Sequence, residues 1–309
     1  MKHNVERVGV IGLGKLGSAI VCRLLQSSKA PRVSIYNRSR ERAETLAKQG
    51  ALPAESPAEV ASQSDVVLTI VTGCQDVRSV LLGPRGVLEG AKAGLIVVDV
   101  STINSACSIS LAAELQKKSV MMLDAPVTGS LHDAREGTLG FLVGGDPGAL
   151  DRVRAMLLLI GKHIFHFGPN GAGCSAKLAL NFLLGAMIQS LAESMAFLQA
   201  MGLSQHLFLE AVAMSGLSSP LFERTGKRGL TGDYEARFSL KDLVKDISLF
   251  EREAGSAGLD LTLLQSLYGI LKQREKEYGA MDYSSLISAE ERYINGKNPV
   301  GFTTGKSFL

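Results

Sequence analysis

The sequence of 309 residues predicts an α/β domain with a mainly parallel sheet, followed by an all-helical domain. Up to about residue 168, short apolar runs typical of buried strands alternate with stretches that are apolar at helical spacing. This alternation favours right-handed crossovers and parallel strands. From residue 169 onward only helix-like stretches follow. We therefore predict two domains, residues 1–168 and 169–309.

A glycine-rich motif, GLGKLG, joins the first predicted strand, residues 8–11, to a helix-like stretch. Gly12 permits a tight turn, Gly14 lets a pyrophosphate approach the backbone, and Gly17 lets the helix pack closely. The helix N-terminus also offers N–H groups and a positive dipole end to phosphates. Alone the motif could be a glycine turn without a ligand, but between a strand and a helix it indicates a dinucleotide-binding Rossmann domain. The predicted cofactor-binding residues here are Gly12, Leu13, Gly14, Lys15, Leu16 and Gly17.

The residues after the second predicted strand, RVSIY, favour NADP over NAD. Asn37, Arg38 and Ser39 stand where an NAD site usually has an acidic residue for the ribose hydroxyls. A guanidinium with neighbouring amide and hydroxyl donors suits the 2′-phosphate of NADP instead. The alternative for Arg38 is a surface arginine that merely follows a strand.

Two later buried strands are predicted at residues 65–71 and 95–99, with shorter strands at 121–123 and 140–143. Ligands bind beyond the carboxyl ends of parallel strands. Val71, Thr72 and Thr102 are therefore predicted to face the cofactor. For Thr102, capping the next helix is an equally good interpretation.

A small turn with hydroxyl groups follows in the stretch DAPVTGS. Backbone N–H groups and hydroxyls in such a turn hold a carboxylate without steric bulk. Thr128, Gly129 and Ser130 are therefore predicted to bind the substrate. A turn that only connects two strands is the alternative.

A glycine turn at residue 171 opens into a long helix, to about residue 201, that is apolar on nearly every face. Such a helix belongs inside a domain or an interface, and the second domain is too small to cover it, so we expect a homodimer or a higher homo-oligomer. Lys177 and Asn181 lie four residues apart on one face. A lysine whose stem packs while its ammonium reaches water is the alternative for Lys177. Polar residues interrupt the helix too often for a membrane span: Lys177, Asn181, Gln189 and Glu193.

Three further helices are predicted, at residues 239–255, 259–277 and 284–293. The last of them follows Asp282 and three hydroxyl-bearing residues, which either belong to the site or only cap the helix. The small, polar tail after residue 295 is expected either to dock on a partner subunit or to be disordered.

Composition excludes several classes of protein. Lysine and arginine number 33 and aspartate and glutamate 30, without a run of like charge, so nothing favours nucleic acid or a membrane as a partner. The cysteines are widely scattered and form no CxxC pair: Cys22, Cys74, Cys107 and Cys174. We therefore expect no disulfide framework and no metal cluster, and a reducing, cytoplasmic compartment.

Four stretches, in order, resemble the β-hydroxyacid dehydrogenase family: GLGKLG, DAPVTGS followed by GTLGFLVGG, GAGCSAKLALN, and the late pair Lys245-Asp246. The family includes 3-hydroxyisobutyrate, tartronate semialdehyde, glyoxylate/succinic semialdehyde and 6-phosphogluconate enzymes. The resemblance spans Val8 to about Tyr293. It implies an N-terminal Rossmann domain, an all-helical second domain and an active site between them.

The resemblance also implies roles for individual residues. The family's catalytic lysine matches Lys177, and its partner asparagine matches Asn181. The substrate-binding hydroxyl matches Thr128, and the cofactor-binding positions match Thr102 and Lys245.

Three departures from the family's pattern bear on the substrate. Thr-Gly-Ser replaces the usual Ser-Gly-Gly, Leu180-Asn181 keeps only the second asparagine of a common pair, and Leu131-His132-Asp133 replaces smaller residues. PVTGS followed by GTLGFLVGGD is most similar to the glyoxylate/succinic semialdehyde branch, whereas His132 and Asp133 depart from it.

The expected function is that of an NADP(H)-dependent reductase of small carboxylated aldehydes, which works reversibly as a hydroxyacid dehydrogenase. Lys177 would be the general acid in reduction and the general base in oxidation. One alternative is an imine reductase on the same scaffold, although such enzymes commonly have Asp or Tyr in place of Lys177. A decarboxylating phosphogluconate enzyme is less favoured, because the histidine-asparagine signature after the lysine is missing. The other alternative is a non-catalytic NADP-binding protein, against which the joint presence of the site residues argues.

Overall fold

A computed structural model describes residues 5–27 and 31–297 of the chain. The predicted fold class, an α/β domain followed by a helical one, is confirmed. Most of the tail for which docking or disorder was expected, residues 298–309, lies outside the described residues.

Strands and helices alternate in the first half of the chain. The strands are β1 (Arg7–Ile11), β2 (Arg32–Tyr36), β3 (Leu52–Pro53), β4 (Val66–Thr69), β5 (Ile96–Asp99), β6 (Met121–Asp124), β7 (Val127–Thr128), β8 (Leu139–Gly144) and β9 (Gly161–Gly168). The helices between them are α1 (Lys15–Gln26), α2 (Arg40–Ala47), α3 (Pro57–Ser62), α4 (Cys74–Leu82), α5 (Val87–Gly90), α6 (Ser105–Gln116), α7 (Leu131–Glu136) and α8 (Pro147–Ile160).

The second half is helical within the described residues. Its helices are α9 (Ala172–Ala200), α10 (Gln205–Met214), α11 (Pro220–Thr231), α12 (Leu240–Ser256), α13 (Thr262–Tyr278) and α14 (Leu286–Lys297). A single 3₁₀ turn, Tyr283–Ser285, precedes α14, and Asp282 caps it by accepting the Ser284 N–H.

The described strands form one sheet in the order β3-β2-β1-β4-β5-β6-β8-β7, with β9 paired to β8. The first six strands are parallel, and β7 pairs antiparallel with β8. Their register places Thr69 beside Asp99, and Asp99 beside Asp124, so the carboxyl ends of β4, β5 and β6 lie together at one edge. An order of 3-2-1-4-5-6 is that of dinucleotide-binding sheets, whose ligands bind at this edge.

Both faces of the sheet are covered by helices. Leu68 and Val98 pack in the layer that contains α1, whereas Val67 and Val97 pack in the opposite layer with Leu111 of α6. Because successive strand residues are buried on opposite faces, these strands are continuous apolar runs in the sequence.

The chain divides into two compact units, with the boundary between Leu180 and Asn181. The predicted domain boundary, after residue 168, coincides with the end of β9 instead. The two positions differ because α9 is continuous across the division. Cys174, in its first turn, belongs to the core of the sheet unit, whereas Ile188 and Met195 belong to the core of the helical unit.

Helix α9 is long and apolar enough to cross a membrane, judged by length and composition only. In the helical unit, however, one side of it packs into the core through residues such as Ile188 and Leu191. Leu183 and Phe197 are 54% and 59% exposed on the single chain. The expected burial of this helix on every face is therefore only partly achieved by the chain itself.

Cys74 and Cys107 form a disulfide, with Cα atoms 6.2 Å apart, so the expectation of no disulfide is wrong. Cys74 begins α4 after β4, and Cys107 lies in the first turn of α6 after β5. Because β4 and β5 are neighbouring parallel strands, the topology brings together cysteines that are 33 residues apart. The cysteine pattern no longer supports a reducing compartment. A cytoplasmic location stays a prediction.

Candidate active site

The GLGKLG loop between β1 and α1 has the shape that a pyrophosphate site requires. Gly12 has φ +97°, and a Cβ atom there would lie 2.2 Å from the Ile70 carbonyl oxygen. A Cβ atom on Gly17 would lie 2.0 Å from the Gly12 carbonyl oxygen, so α1 packs directly on the loop. Gly14 faces open space and caps α1 without a side chain. The loop therefore leaves room for a phosphate beside the first N–H groups of the helix.

Asn37 fastens this loop to the end of β2. Its Oδ1 accepts the Leu13 N–H at 2.9 Å, and its Nδ2 donates to the Ser39 carbonyl oxygen and Oγ at 3.0 and 2.9 Å. Both the oxygen and the nitrogen of the Asn37 side-chain amide are thus engaged within the chain. Arg38, the remaining predicted residue, is exposed.

Arg42 is a cation that the sequence reasoning missed. It lies in the first turn of α2, is exposed, and its Nη1 donates to the Leu13 carbonyl oxygen at 3.2 Å. The guanidinium is therefore beside the glycine loop. The sequence signal that could have found it is the run of alternating arginines Arg38, Arg40 and Arg42.

Polar contacts join the ends of β4 and β5. Thr69 Oγ1 and the Ser101 N–H donate to Asp99 Oδ1 at 2.7 and 3.2 Å, and the Val71 N–H donates to Ser101 Oγ at 3.0 Å. Asp99 is completely buried, and among the described residues no donor reaches its Oδ2. Burial raises the pKa of Asp99 to about 6.

Thr72 and Thr102 lie in the loops that follow these two strands. Asn104, and not Thr102, caps α6, because its Oδ1 accepts the Cys107 N–H at 2.9 Å. The capping interpretation of Thr102 is therefore excluded, and its cofactor role stays a prediction.

Asp124, the last residue of β6, fastens the N-terminus of α9. Its Oδ1 accepts the Gly171 N–H at 2.7 Å and the Ser108 hydroxyl at 3.0 Å, and its Oδ2 accepts the Cys174 N–H at 2.9 Å. A carboxylate at the positive end of a helix stabilises it. Lys177 is half-buried, three residues after Cys174. The strand edge thus fixes the first turn of α9, directly before the turn that carries Lys177.

The predicted substrate turn lies between β7 and α7. Thr128 is half-buried and pairs with Gly140, and Gly129 has φ +121°. Ser130 caps α7, and both its N–H and its hydroxyl donate to Asp133 Oδ2 at 2.6 Å. The Asp133 N–H donates back to Ser130 Oγ at 3.3 Å. The sequence reasoning missed this capping box, which the Ser-x-x-Asp spacing signals.

Asp246 connects two predicted residues in the helical unit. Asn181 Nδ2 donates to Asp246 Oδ2 at 2.6 Å, and Lys245 Nζ lies 3.1 Å from Asp246 Oδ1. Asn181 and Asp246 are buried, whereas Lys245 is half-buried. From the sequence, Asp246 was identified only as the second member of the late Lys-Asp pair, and no role was predicted for it.

The two units divide the predicted residues between them. The sheet unit contains the glycine loop, Arg38, Thr102, the Thr128–Ser130 turn and Lys177, and the helical unit contains Asn181 and Lys245. Within residues 5–27 and 31–297, no three His, Cys, Asp or Glu side chains are grouped as metal ligands.

Family profiles match nearly all of the described chain. Residues 7–168 match the profile of the NAD binding domain of 6-phosphogluconate dehydrogenase. Residues 171–289 match the profile described as NAD-binding of NADP-dependent 3-hydroxyisobutyrate dehydrogenase.

Similar proteins cover the chain almost from end to end. A probable mitochondrial 3-hydroxyisobutyrate dehydrogenase-like protein of Arabidopsis thaliana is 34% identical over 94% of this chain and 86% of its own length. The chloroplastic glyoxylate/succinic semialdehyde reductase 2 of Arabidopsis thaliana is 29% identical over 91% of this chain and 78% of its own. The crystal structure of 3-hydroxyisobutyrate dehydrogenase from Salmonella typhimurium superposes with a TM-score of 0.83 at 27% identity, covering 92% of this chain and 99% of that one.

Proposed function

Because the chain belongs to the β-hydroxyacid dehydrogenase family, we propose that it is an NADP(H)-dependent enzyme that interconverts a small carboxylated aldehyde and its hydroxyacid. The family makes it a nicotinamide-dependent oxidoreductase. What we propose beyond this is the preference for NADP over NAD and a small carboxylated aldehyde as the substrate. Two relatives support the substrate type by their names, a 3-hydroxyisobutyrate dehydrogenase-like protein and a glyoxylate/succinic semialdehyde reductase.

The observation that carries the proposal is the position of Lys177. Its helix begins at the carboxyl edge of the parallel strands, where Asp124 accepts the Gly171 and Cys174 N–H groups. In this fold the same edge holds the cofactor. The half-buried Lys177 on the turn that follows supports a role at the carbonyl that would meet the nicotinamide.

The proposed reaction combines the transfer of a hydride with the transfer of a proton. A bound nicotinamide supplies the hydride to the carbonyl carbon and takes it back in oxidation. In reduction, the Lys177 ammonium donates a proton to the carbonyl oxygen, and in oxidation the neutral amine removes the hydroxyl proton. Asn181, whose amide nitrogen is held by Asp246, keeps its Oδ1 to orient the reacting groups. The Thr128 hydroxyl and the Gly129 N–H bind the polar end of the substrate.

Two exposed arginines support NADP rather than NAD. Arg38 follows β2, and Arg42 contacts the glycine loop through the Leu13 carbonyl. The end of β2 carries Asn37 in place of an acidic residue, so no carboxylate there would repel a 2′-phosphate. Arginine pairs with phosphate through two parallel N–H bonds.

A substrate panel tests the proposal. Glyoxylate, succinic semialdehyde and 2-methyl-3-oxopropanoate would be reduced with NADPH and with NADH, beside a cyclic imine as a control for imine reduction. We expect turnover of the semialdehydes with NADPH and little of the imine. Turnover of the imine alone would make the chain an imine reductase, and NADPH binding without turnover would make it a non-catalytic NADP-binding protein.

We also propose that the chain forms a homodimer or a higher homo-oligomer and binds neither nucleic acid nor a membrane. Besides Leu183 and Phe197 on α9, the helical unit exposes Leu207 and Met214, the latter at 90%. A second copy of the chain would cover such a surface. Light scattering at micromolar concentration tests this, and an active, monodisperse monomer would contradict it.

A further inference from the structure

The disulfide between Cys74 and Cys107 joins the two loops in which cofactor contacts are predicted. Cys74 is the first residue of α4 and closely follows Thr72. Cys107 lies in the first turn of α6, after Thr102. The bond therefore connects the helix ends of the two segments that carry these predicted cofactor residues.

Hydrogen bonds hold the strand ends of the same loops. The Val71 N–H donates to Ser101 Oγ at 3.0 Å, and the Ser101 N–H donates to Asp99 Oδ1 at 3.2 Å. The loops are thus joined at the sheet by hydrogen bonds and at the helices by the covalent bond. Opening the disulfide removes the constraint at the helices, so that the cost of ordering the loops is then added to the binding of a cofactor.

The two sulfur atoms differ in how well an external thiol can reach them. Cys74 is half-buried, whereas Cys107 is only 6% exposed. Cys74 also begins a helix whose N-cap residue, Gly73, provides no side chain for the first N–H groups. Because the N-terminus of a helix stabilises a thiolate, the reduced form of Cys74 is favoured there. A disulfide with one accessible sulfur is of the kind that thiols reduce readily.

We propose that Cys74 and Cys107 form a redox modification site, at which reduction by a dithiol weakens the binding of the nicotinamide cofactor. The oxidised form holds the two loops in place for the cofactor, and the reduced form releases them. This inference rests on the nicotinamide cofactor of the family and on the predicted cofactor contacts of the loops. It does not depend on the identity of the substrate.

The reduction is a thiol–disulfide exchange in two steps. A thiolate of the dithiol attacks Cys74 Sγ, the bond between the cysteines breaks, and Cys107 leaves as a thiolate that takes up a proton. The second thiolate of the reductant then attacks the reductant's own sulfur in the mixed disulfide and releases Cys74. The dithiol is thereby oxidised to a disulfide, and its two electrons and two protons reside on the two cysteine thiols.

Cofactor titrations of the oxidised and the reduced full chain test the proposal. NADPH and NADH would each be titrated before and after treatment with dithiothreitol, at a temperature where circular dichroism shows that both forms are folded. Thiol counting identifies the two forms, since Cys22 and Cys174 lie outside the disulfide. We expect the tighter-binding cofactor to lose about threefold to tenfold in affinity on reduction, and to regain it when oxidised dithiothreitol restores the bond. Equal affinities of the two forms would overturn the inference.

Two variants show whether the effect belongs to this pair of cysteines. Cys74→Ala/Cys107→Ala should bind the cofactor as weakly as the reduced protein and should not respond to dithiothreitol. Cys22→Ser changes a cysteine of α1 outside the disulfide and should keep the full response. A double variant that binds the cofactor as tightly as the oxidised protein would overturn the inference.

The reciprocal measurement separates an effect on the cofactor loops from a general loss of stability. If reduction weakens cofactor binding, a saturating cofactor must oppose reduction by the same factor. The ratio of the disulfide form to the dithiol form in a dithiothreitol redox buffer should therefore rise by about threefold to tenfold when the cofactor is added. An unchanged ratio would overturn the inference even if the reduced protein is less stable.

Turnover tests the proposed function separately. Cofactor binding that depends on the redox state, without turnover of any aldehyde, would refute the proposed function and leave the role of the disulfide intact. Turnover of semialdehydes with equal cofactor affinity in both redox forms would do the reverse.

Discussion

Asn181 Nδ2 donates a hydrogen bond of 2.6 Å to Asp246 Oδ2 in the core of the helical unit. Both residues are buried, and Lys245 Nζ lies 3.1 Å from the other oxygen of Asp246. One carboxylate therefore orients two residues that the sequence singled out. Because Asp246 accepts an N–H of the Asn181 amide, it fixes the orientation of that amide, which the proposed chemistry requires.

Replacing Asp246 should affect both stability and turnover. Asp246→Ala leaves the buried amide of Asn181 without its acceptor, which costs about 1–3 kcal/mol of unfolding free energy. It also frees the orientation of Asn181, so we expect kcat to fall by about tenfold to a hundredfold. Asp246→Asn, which can still accept the hydrogen bond, should recover most of the stability and part of kcat. Denaturant unfolding and steady-state kinetics measure the two effects, and an alanine variant that matches the unmutated protein in both would contradict the role of Asp246.

Cofactor selectivity should depend on Arg38. Arg38→Ala is expected to weaken NADPH binding by about tenfold or more, because a charge-assisted contact with the 2′-phosphate is lost, and to leave NADH binding nearly unchanged. Arg42→Ala should act in the same direction. The matched control is Arg40→Ala, since Arg40 lies between them and is paired with Glu55. Fluorescence titration with both cofactors measures this, and equal affinity of the unmutated protein for NADPH and NADH would refute it.

The features that sequence reasoning found are local ones. Gly12 and Gly17 were predicted from a motif only six residues long. Their steric roles are confirmed, because a side chain on Gly12 would collide with the Ile70 carbonyl and one on Gly17 with the Gly12 carbonyl. The buried strands were visible because sheets covered on both faces produce continuous apolar runs. β9 was missed, because its sequence, GKHIFHFG, is largely exposed and shows no apolar alternation.

The features that sequence reasoning missed depend on how distant segments meet. The pairing of Cys74 with Cys107 requires knowing that β4 and β5 are neighbours. The contact of Asp124 with the N-terminus of α9 joins residues 47 to 50 positions apart. The engagement of Ser130 by Asp133 is different, because the capping-box spacing is local and was readable from the sequence.

The buried carboxyl group of Asp99 should make stability depend on pH. Its folded pKa of about 6 lies above its ordinary value of 3.8, so the folded chain holds this proton between about pH 4 and 6 while the unfolded chain has lost it. The free energy of unfolding therefore falls as pH rises through this range, by about 3 kcal/mol. In the Asp99→Asn variant the side chain at this position cannot ionise, so we expect no such fall of the unfolding free energy with rising pH.

Denaturant unfolding at several pH values checks the effect of Asp99. The difference in unfolding free energy between Asp99→Asn and the unmutated protein should shift by about 3 kcal/mol in favour of the variant between pH 4 and 7. Any effect of the substitution that does not depend on pH leaves this shift unchanged. Two parallel stability curves over this range would show that Asp99 does not hold a proton in the folded chain.

Reduction of the disulfide should destabilise the protein. The bond between Cys74 and Cys107 closes a loop of 33 residues, for which the loss of chain entropy in the unfolded state corresponds to about 4 kcal/mol. The double variant Cys74→Ala/Cys107→Ala should unfold with a correspondingly lower free energy, and dithiothreitol should have little further effect on it. Cys22→Ser, at a free cysteine, is the control. Four reactive thiols in the denatured, unreduced protein would contradict the presence of the bond.

The most direct measurement concerns Lys177, on which the proposed chemistry depends. Lys177→Met would be compared with the unmutated protein in steady-state kinetics and in NADPH titration of the same preparation, with Lys241→Met, an exposed lysine of α12, as the control. We expect the methionine variant to fold and to bind NADPH normally, while its catalytic rate falls about 10²–10⁴-fold. Lys177→Arg should recover little, because a guanidinium stays protonated and cannot accept the hydroxyl proton. Near-normal turnover by Lys177→Met would mean that Lys177 only packs and that the proton comes from another group.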